Sequence, residues 1–280
     1  RAAVGASIGL GIAAAIGFVL FVMWELTEKH PIVDLRVFRH RGFTASVVTL
    51  TLAFGAMFAA NVLTPLWLQS YMGYTSTWAG MTTAWSGVLA VVAAPIVGAR
   101  MAKVDPRRLV FIGLIWLGFI TALRCFVTND VTYWQISIPL MLMGFGLPFF
   151  FVPLTALSLG SVEPRELASA AGIQNFLRTL SGAVATSIVQ TVWEDKTTYA
   201  HSELSGLADR NGDAVDAFQA QGMTHDQALY SLNNLVDEQS VMIATNQTMA
   251  LITIAFFVAA AVIWFAPKPR FAVDAAAAGH

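Results

Sequence analysis

The sequence predicts an all-α, polytopic integral membrane protein with seven transmembrane helices, and three observations carry that prediction. Of the 280 residues, 56% are hydrophobic and only 12% are charged, whereas a soluble domain carries about 25% charged residues. The charges cluster in connections and leave seven apolar runs of roughly 20 residues, the length that crosses a hydrocarbon core. Those runs lack the strict alternation of a barrel strand, and lipid offers backbone groups no partner, so helices are the structures that fit.

The runs are 2–24, 43–67, 77–99, 109–128, 134–158, 168–192 and 242–266. The first is too long and wrongly flanked for a signal peptide. Arg1 opens almost directly into it, no initiator Met precedes it, and the span count is odd, so the chain reads as the C-terminal fragment of a longer protein. The alternative is a complete seven-helix receptor or pump. A retinal-binding version would need a lysine within a helix, yet Lys29, Lys103, Lys196 and Lys268 all lie outside the spans. The second and third runs share the charge-free stretch 42–99 and are joined by a turn around Ser70–Thr75. Three parts follow: six spans in 1–192, an acidic connection in 193–241, and the last span with its tail in 242–280.

Orientation follows from the basic residues, which concentrate in cytoplasmic loops. Lys29, Arg36, Arg39, Arg41, Arg100, Lys103, Arg107, Arg108, Arg165, Lys268 and Arg270 fall on one side, against Arg1, Lys196 and Arg210 on the other. The C-terminus is therefore expected in the cytoplasm and 193–241 outside. Tyr71, Tyr74, Tyr133 and Trp134 stand at the outer helix ends, where an aromatic belt belongs. The connection 193–241 has nine acidic and two basic side chains. Within it Thr224-His-Asp-Gln227 is a capping-box pattern leading into Leu229, Leu232, Leu235 and Val236 at helical spacing. That predicts one short amphipathic helix, either packed on the neighbouring spans or lying over the mouth of a transport path.

Several function classes drop out. Lys+Arg at 16 and Asp+Glu at 17 nearly cancel, which removes the basic excess that nucleic-acid binding needs. Cys125 is the single cysteine and the five histidines are scattered, so neither an intramolecular disulfide nor a zinc site is expected. Phosphate-loop, dinucleotide and H-E-x-x-H signatures are missing, and no nucleophile and base pair lies in the spans. The expectation is a non-enzyme with no cofactor and no metal.

Four segments resemble a known family. His30-Pro-Ile-Val-Asp34-Leu-Arg-Val-Phe38 followed by Arg41-Gly-Phe43, then Thr64-Pro-Leu-Trp-Leu-Gln69 with Gly73-Tyr74 and Trp78-Ala-Gly80, then Ala168 through Gly182, stand in the order and spacing of EmrB/QacA-type exporters. The long outer loop before the last helix also matches that layout. These are the fourteen-helix drug:proton antiporters of the major facilitator superfamily, and by the resemblance this chain covers helices eight to fourteen. The resemblance implies proton-coupled export of small amphipathic compounds across the cell (inner) membrane by alternating access. It further implies a lipid bilayer around the chain, protons and amphipathic substrates as ligands, and the missing N-terminal half as a partner. A periplasmic adaptor serves some members. From a different class, a non-transporting scaffold or sensor could keep this fold; acidic residues in the first and fourth helices of the preceding frame would argue against that.

Gly98-Ala-Arg-Met-Ala-Lys103-Val-Asp105-Pro-Arg107-Arg108 is a degenerate echo of the superfamily's G-x-x-x-D-(R/K)-x-G-(R/K)-(R/K) loop, with Ala102 in place of the acid. It reads either as a weakened latch between rocking helices or as a positive-inside loop with a proline turn. No Asp or Glu lies within a predicted span, so a proton-carrying carboxylate is expected elsewhere. Polar residues inside membranes are expensive and point to function by default. Arg178 lies near the middle of its span, with Gln174 at i−4 and Asn175 at i−3 on one face. It either bonds freed carbonyls of a neighbouring helix or lines the path and tunes a carboxylate in the other half. Arg124 lies about a turn from its helix end and can snorkel to headgroups. Asn61, Gln69 and Trp67 fall in the outer part of the second span, facing a cavity or a neighbouring helix. In the fifth span, Gly144, Gly146, Pro148 and Pro153 predict a bendable, gating helix. Three consecutive phenylalanines there point three ways, so most face lipid or core and at most one or two line a cavity, with Phe150 the candidate.

Overall fold

The computed structural model describes residues 35–101, 103–126, 128, 131–210 and 213–267, with scattered positions between 13 and 24. The first span, the His30–Asp34 part of the resembling segment, and Lys268 and Arg270 lie outside the described residues apart from those scattered positions. Described elements are all helical: α1 (Arg41–Ser70), α2 (Ser76–Met101), α3 (Pro106–Leu123), α4 (Tyr133–Leu159), α5 (Leu167–Arg210), α6 (Asp213–Ala220) and α7 (His225–Val262). Short 3-10 turns occupy Leu35–Arg39, Arg124–Phe126 and Ile263–Phe265. Among the described residues, α1, α2, α3 with its 3-10 extension, α4, and α7 with its own are long and apolar enough to cross a membrane. The predicted span at 168–192 lies inside α5, whose Gln174, Asn175, Arg178 and Gln190 make it more polar than those five.

Local chemistry sets the ends. α1 stops at Ser70, and the chain turns through Gly73 at φ 68° before α2 begins, a conformation in which a Cβ is strained. Asp105 caps α3 by accepting from the Arg107 backbone N–H, with Pro106 in the first turn, where its missing N–H costs nothing. Thr132 with Gln135 closes a capping box at α4, and Thr224 with Gln227 closes the expected one at α7.

The connection 193–241 departs from the expectation of a loop with one short helix. α5 runs unbroken to Arg210, and α7 already begins at His225, so this stretch is chiefly two long helices joined through α6. At 44 and 38 residues, α5 and α7 measure about 66 and 57 Å at 1.5 Å per residue, against ~30 Å of hydrocarbon. Charges at Glu194, Asp195 and Lys196 end an apolar run without ending a helix, because these side chains are good helix formers or point to solvent. The seam also continues past them. Buried Trp193 donates from Nε1 to Thr245 Oγ1 at 2.9 Å, Lys196 Nζ reaches Gln247 Oε1 at 2.8 Å, and His201 lies 3.1 Å from Asp237.

The bundle has an uneven arrangement that leaves a groove on one side. α1 packs on α5, α7 and α4, while α4 is clasped between α2 and α3. Glycines set the close approaches: a Cβ on Gly113 of α3 would lie 2.9 Å from the Phe149 backbone, and one on Gly146 would lie 2.9 Å from Trp116. At the end where α1 begins, Glu166 gathers His40 at 2.8 Å and Arg39 at 3.3 Å, tying the start of α1 to the α4–α5 turn. α2 rests mainly on α4 and is otherwise uncovered: 17% of its most apolar stretch is buried, against 61% in α1 and α4. A groove is left between α2 and α5, floored by α1 and α4.

Candidate functional site: a groove between α2 and α5

The groove encloses about 480 Å³, and its walls include Phe54 and Met57 of α1, Val91 of α2, Phe150 and Phe151 of α4, and Arg178 of α5. Arg178 and Phe151 also line an adjoining pocket of about 170 Å³ with Thr155, Gln174 and Asn175. An apolar trough and a polar recess therefore meet at one guanidinium. The combined space is of the size that holds a drug-like molecule.

Arg178 is held locally. Its Nη2 donates to Asn175 Oδ1 at 2.6 Å, and its guanidinium lies 5.5 Å from the Phe54 ring centroid and 5.9 Å from that of Phe151. Both rings present π-faces to a half-buried cation, a favourable contact worth about 0.5–1 kcal/mol each at exposed sites. Among the described residues no carboxylate pairs with it. Of the two expectations for this residue, bonding to freed carbonyls of a neighbouring helix finds no counterpart in these contacts. Gln174 is buried; its Nε2 donates to Thr155 Oγ1 at 3.3 Å, and its Oε1 has no hydrogen-bond partner. Such an orphan acceptor beside a polar recess costs about 1–3 kcal/mol unless a donor arrives.

The three phenylalanines have different surroundings. Phe149 packs with Ala93, Val97 and Leu109, and Phe150 is buried against Phe54 with ring centroids 5.5 Å apart. Phe151 is exposed and shared between trough and recess. Phe150, the candidate singled out from the sequence, lines the groove as a buried ring turned onto α1, and Phe151 beside it supplies the exposed ring. Phe54 was missed altogether. One phenylalanine in an apolar run carries no signal until α1 is docked beside α5.

Other candidates lie elsewhere. Asn61 and Gln69 are exposed on α1 and line neither pocket; Gln69 Nε2 donates to the Pro65 carbonyl at 3.1 Å. Trp67 is buried near Arg124, whose 7% exposure places it inside the bundle instead of snorkelling outward. Gly144 is a crossing point: a Cβ there would fall 2.7 Å from the Ser86 carbonyl carbon of α2. Pro148 and Pro153 lie within a helix that stays continuous from Tyr133 to Leu159.

In the basic loop, a Cβ added to Gly98 would meet nothing within 4 Å, and Lys103 and Arg108 are exposed. Arg107 is buried. Its Nη1 donates to the Ala266 carbonyl at 2.9 Å, its Nη2 reaches Asp105 at 2.8 Å, and its guanidinium lies 5.9 Å from the Trp264 ring. The Arg107 hydrogen bond holds the Asp105 carboxyl below the usual carboxylate range, against the smaller opposing effect of burial. This loop therefore bolts the start of α3 to the segment that follows α7, a tie internal to the bundle.

A bundle of apolar helices around an open groove, with one cation among aromatic rings, has the architecture of a polytopic membrane transporter. The Major Facilitator Superfamily model matches residues 2–186, and the chain belongs to that family. It is 33% identical over 275 residues to the multidrug export protein EmrB of Escherichia coli K12, covering 96% of this chain and 54% of that protein. The fatty acid resistance protein FarB of Neisseria gonorrhoeae is 33% identical over 269 residues, 95% of this chain and 53% of FarB. Multidrug resistance protein 3 of Bacillus subtilis is 30% identical over 272 residues, 94% and 52% of the two chains. The chain spans about half the length of these curated relatives. It is thus a multi-pass membrane chain of that family, related to proteins named for multidrug export and for drug or fatty acid resistance.

Proposed function

We propose that this chain forms the C-terminal half of a proton-coupled exporter of amphipathic compounds in the inner membrane, working by alternating access. The observation that carries the reading is the junction at Arg178, where an apolar trough and a polar recess meet on the open side of the bundle. A molecule with a flat apolar body and a polar end matches both walls at once, and secondary transporters bind at the interface of two halves near the midplane. Relatives at 33% identity named for multidrug export and fatty acid resistance support the same substrate class.

In this reading Arg178, Asn175, Gln174 and Phe151 contact substrate, and Phe54 and Phe150 support them. Fixed positive charge at Arg178 lowers the pKa of a carboxylate brought near it, which couples proton release to the state of the path. That carboxylate comes from the other half, since no Asp or Glu lies within α1 to α4, in residues 167–193 of α5 or in the part of α7 after Glu238, and the acidic residues of α5 all lie beyond its apolar stretch. Gly144 and Gly146 let α2 and α3 ride closely on α4, and the prolines remove backbone donors where α4 bends during rocking. The positive-inside count puts the α2–α3 loop in the cytoplasm and the α5–α7 hairpin outside, where its acidic surface is available to a periplasmic adaptor. The test is expression of the full-length gene in a pump-deficient host. Uncoupler-sensitive resistance to amphipathic toxins is expected; unchanged susceptibility across such a panel overturns the reading.

A further inference from the structure

A second buried cation lies outside the groove and takes no part in the transport path described above. Arg124, at the end of α3, is 7% exposed and crosses to α1, where its Nη2 donates to Thr64 Oγ1. Its Nη1 has no hydrogen-bond partner, and among the described residues no carboxylate pairs with it. Arg124 lines a cavity of about 20 Å³ together with Trp67 of α1, Gln135 and Ile136 of α4, and Thr245 and Met249 of α7. Four helices of this one bundle enclose it, so its occupant does not depend on the groove or on anything docked there.

The lining restricts what can enter. Gln135 Oε1 already accepts from the Thr132 N–H at 2.7 Å and from Thr132 Oγ1 at 3.0 Å, and its amide N–H groups, on a side chain at the exposed rim of the cavity, have no protein partner. Thr245 Oγ1 accepts from Trp193 and donates to the Val241 carbonyl. The unspent groups are thus donors, Arg124 Nη1 and the Gln135 amide, and the rest of the wall includes Ile136 and Met249. A cation is repelled. A single water would satisfy the hydrogen bond and leave the buried charge uncompensated, which is the costly part of burying an ion. The volume admits one water-sized or monatomic species and excludes sulfate or a carboxylate.

We propose that this cavity is a structural site for a monatomic anion of chloride size, held by Arg124 and Gln135, that pins the end of α3 against α1, α4 and α7. The test compares unfolding midpoints of the purified detergent-solubilised protein at equal ionic strength in sodium chloride, bromide, sulfate and gluconate. A saturable rise of a few degrees in chloride and bromide, absent in sulfate and gluconate and abolished in Arg124→Gln, is the expected result. Equal midpoints in all four salts would mean that one water fills the cavity and would overturn the proposal, as would a full chloride response in Arg124→Gln. If Arg124→Gln does not accumulate, Gln135→Leu serves: half-maximal stabilisation should need several-fold more chloride, and an unchanged titration contradicts the assignment. Bromide-grown crystals give an independent readout, with an anomalous peak beside Arg124 Nη1 in support and none there against.

Discussion

Replacing Gly144 by alanine should separate α2 from α4 and cost the protein much of its stability. The added Cβ would lie 2.7 Å from the carbonyl carbon and 2.9 Å from the Cα of Ser86, and closer still to the carbonyl oxygen. Non-bonded carbon atoms rest about 3.5–4.0 Å apart, so α2 must retreat by roughly 1 Å at this crossing. Backbone cannot swing aside as the end of a flexible side chain can. Overpacking of this kind costs about 1–3 kcal/mol, a five- to more than hundredfold loss in the folded ratio. The displacement also strains an aromatic join between the same two helices, where Trp85, next to Ser86 on α2, donates from Nε1 to the Tyr133 hydroxyl of α4 at 3.0 Å. Gly87, also on α2, has no atom within 4 Å of where its Cβ would stand and is the matched control. Thermal unfolding of both variants in detergent is the assay. A lower midpoint is expected for Gly144→Ala alone; equal midpoints would refute the crossing-point argument and leave Gly144 free to act purely as a hinge.

The triplet on α4 should split by position: Phe150→Ala, which empties a buried site, loses about 3–5 kcal/mol and lowers membrane levels, whereas Phe151→Ala keeps normal levels and alters which toxins are exported, as immunoblots and a resistance panel would record. Asp105 predicts a pH signature. Because Arg107 depresses its folded-state pKa, its contribution is complete above the unfolded value of about 3.9 and is lost as pH falls through the lower folded value. The wild-type protein should therefore lose unfolding midpoint below about pH 4 relative to Asp105→Asn, whose profile is flatter there; identical slopes would exclude the Asp105–Arg107 pair as the cause.

How much was legible in advance depended on whether a feature is local. Helices α1 to α4 follow from apolar runs ended by charge or by the Ser70–Thr75 turn, and the Thr224–Gln227 box marked a helix start because a cap is written within four residues; that helix was expected to be short and instead runs on through the last span as α7. The extent of α5 was hidden, since Glu194, Asp195 and Lys196 mark the end of an apolar run and equally suit an exposed helix. Gln174, Asn175 and Arg178 share one face at i, i+1 and i+4, so their grouping was readable from spacing alone. Their aromatic partners were not: Phe54 lies 124 positions from Arg178 in the numbering, and only docking of α1 on α5 unites them. Arg124 shows the same limit. From sequence it belongs to a helix end where a long side chain reaches headgroups, but Thr64 on α1 draws the guanidinium inward.

The central claim, that the Arg178 junction belongs to the substrate path, is tested most directly by efflux in variants of that residue across pH. Arg178 bonds Asn175 on its own helix and rests on two rings without holding another helix's backbone. Arg178→Lys and Arg178→Ala should therefore both reach the membrane at wild-type levels. Lys, which keeps the charge, should retain efflux, and Ala should shift its pH dependence and lower its rate. Wild-type efflux with a wild-type pH profile in Arg178→Ala would contradict the account and remove the groove from the transport path.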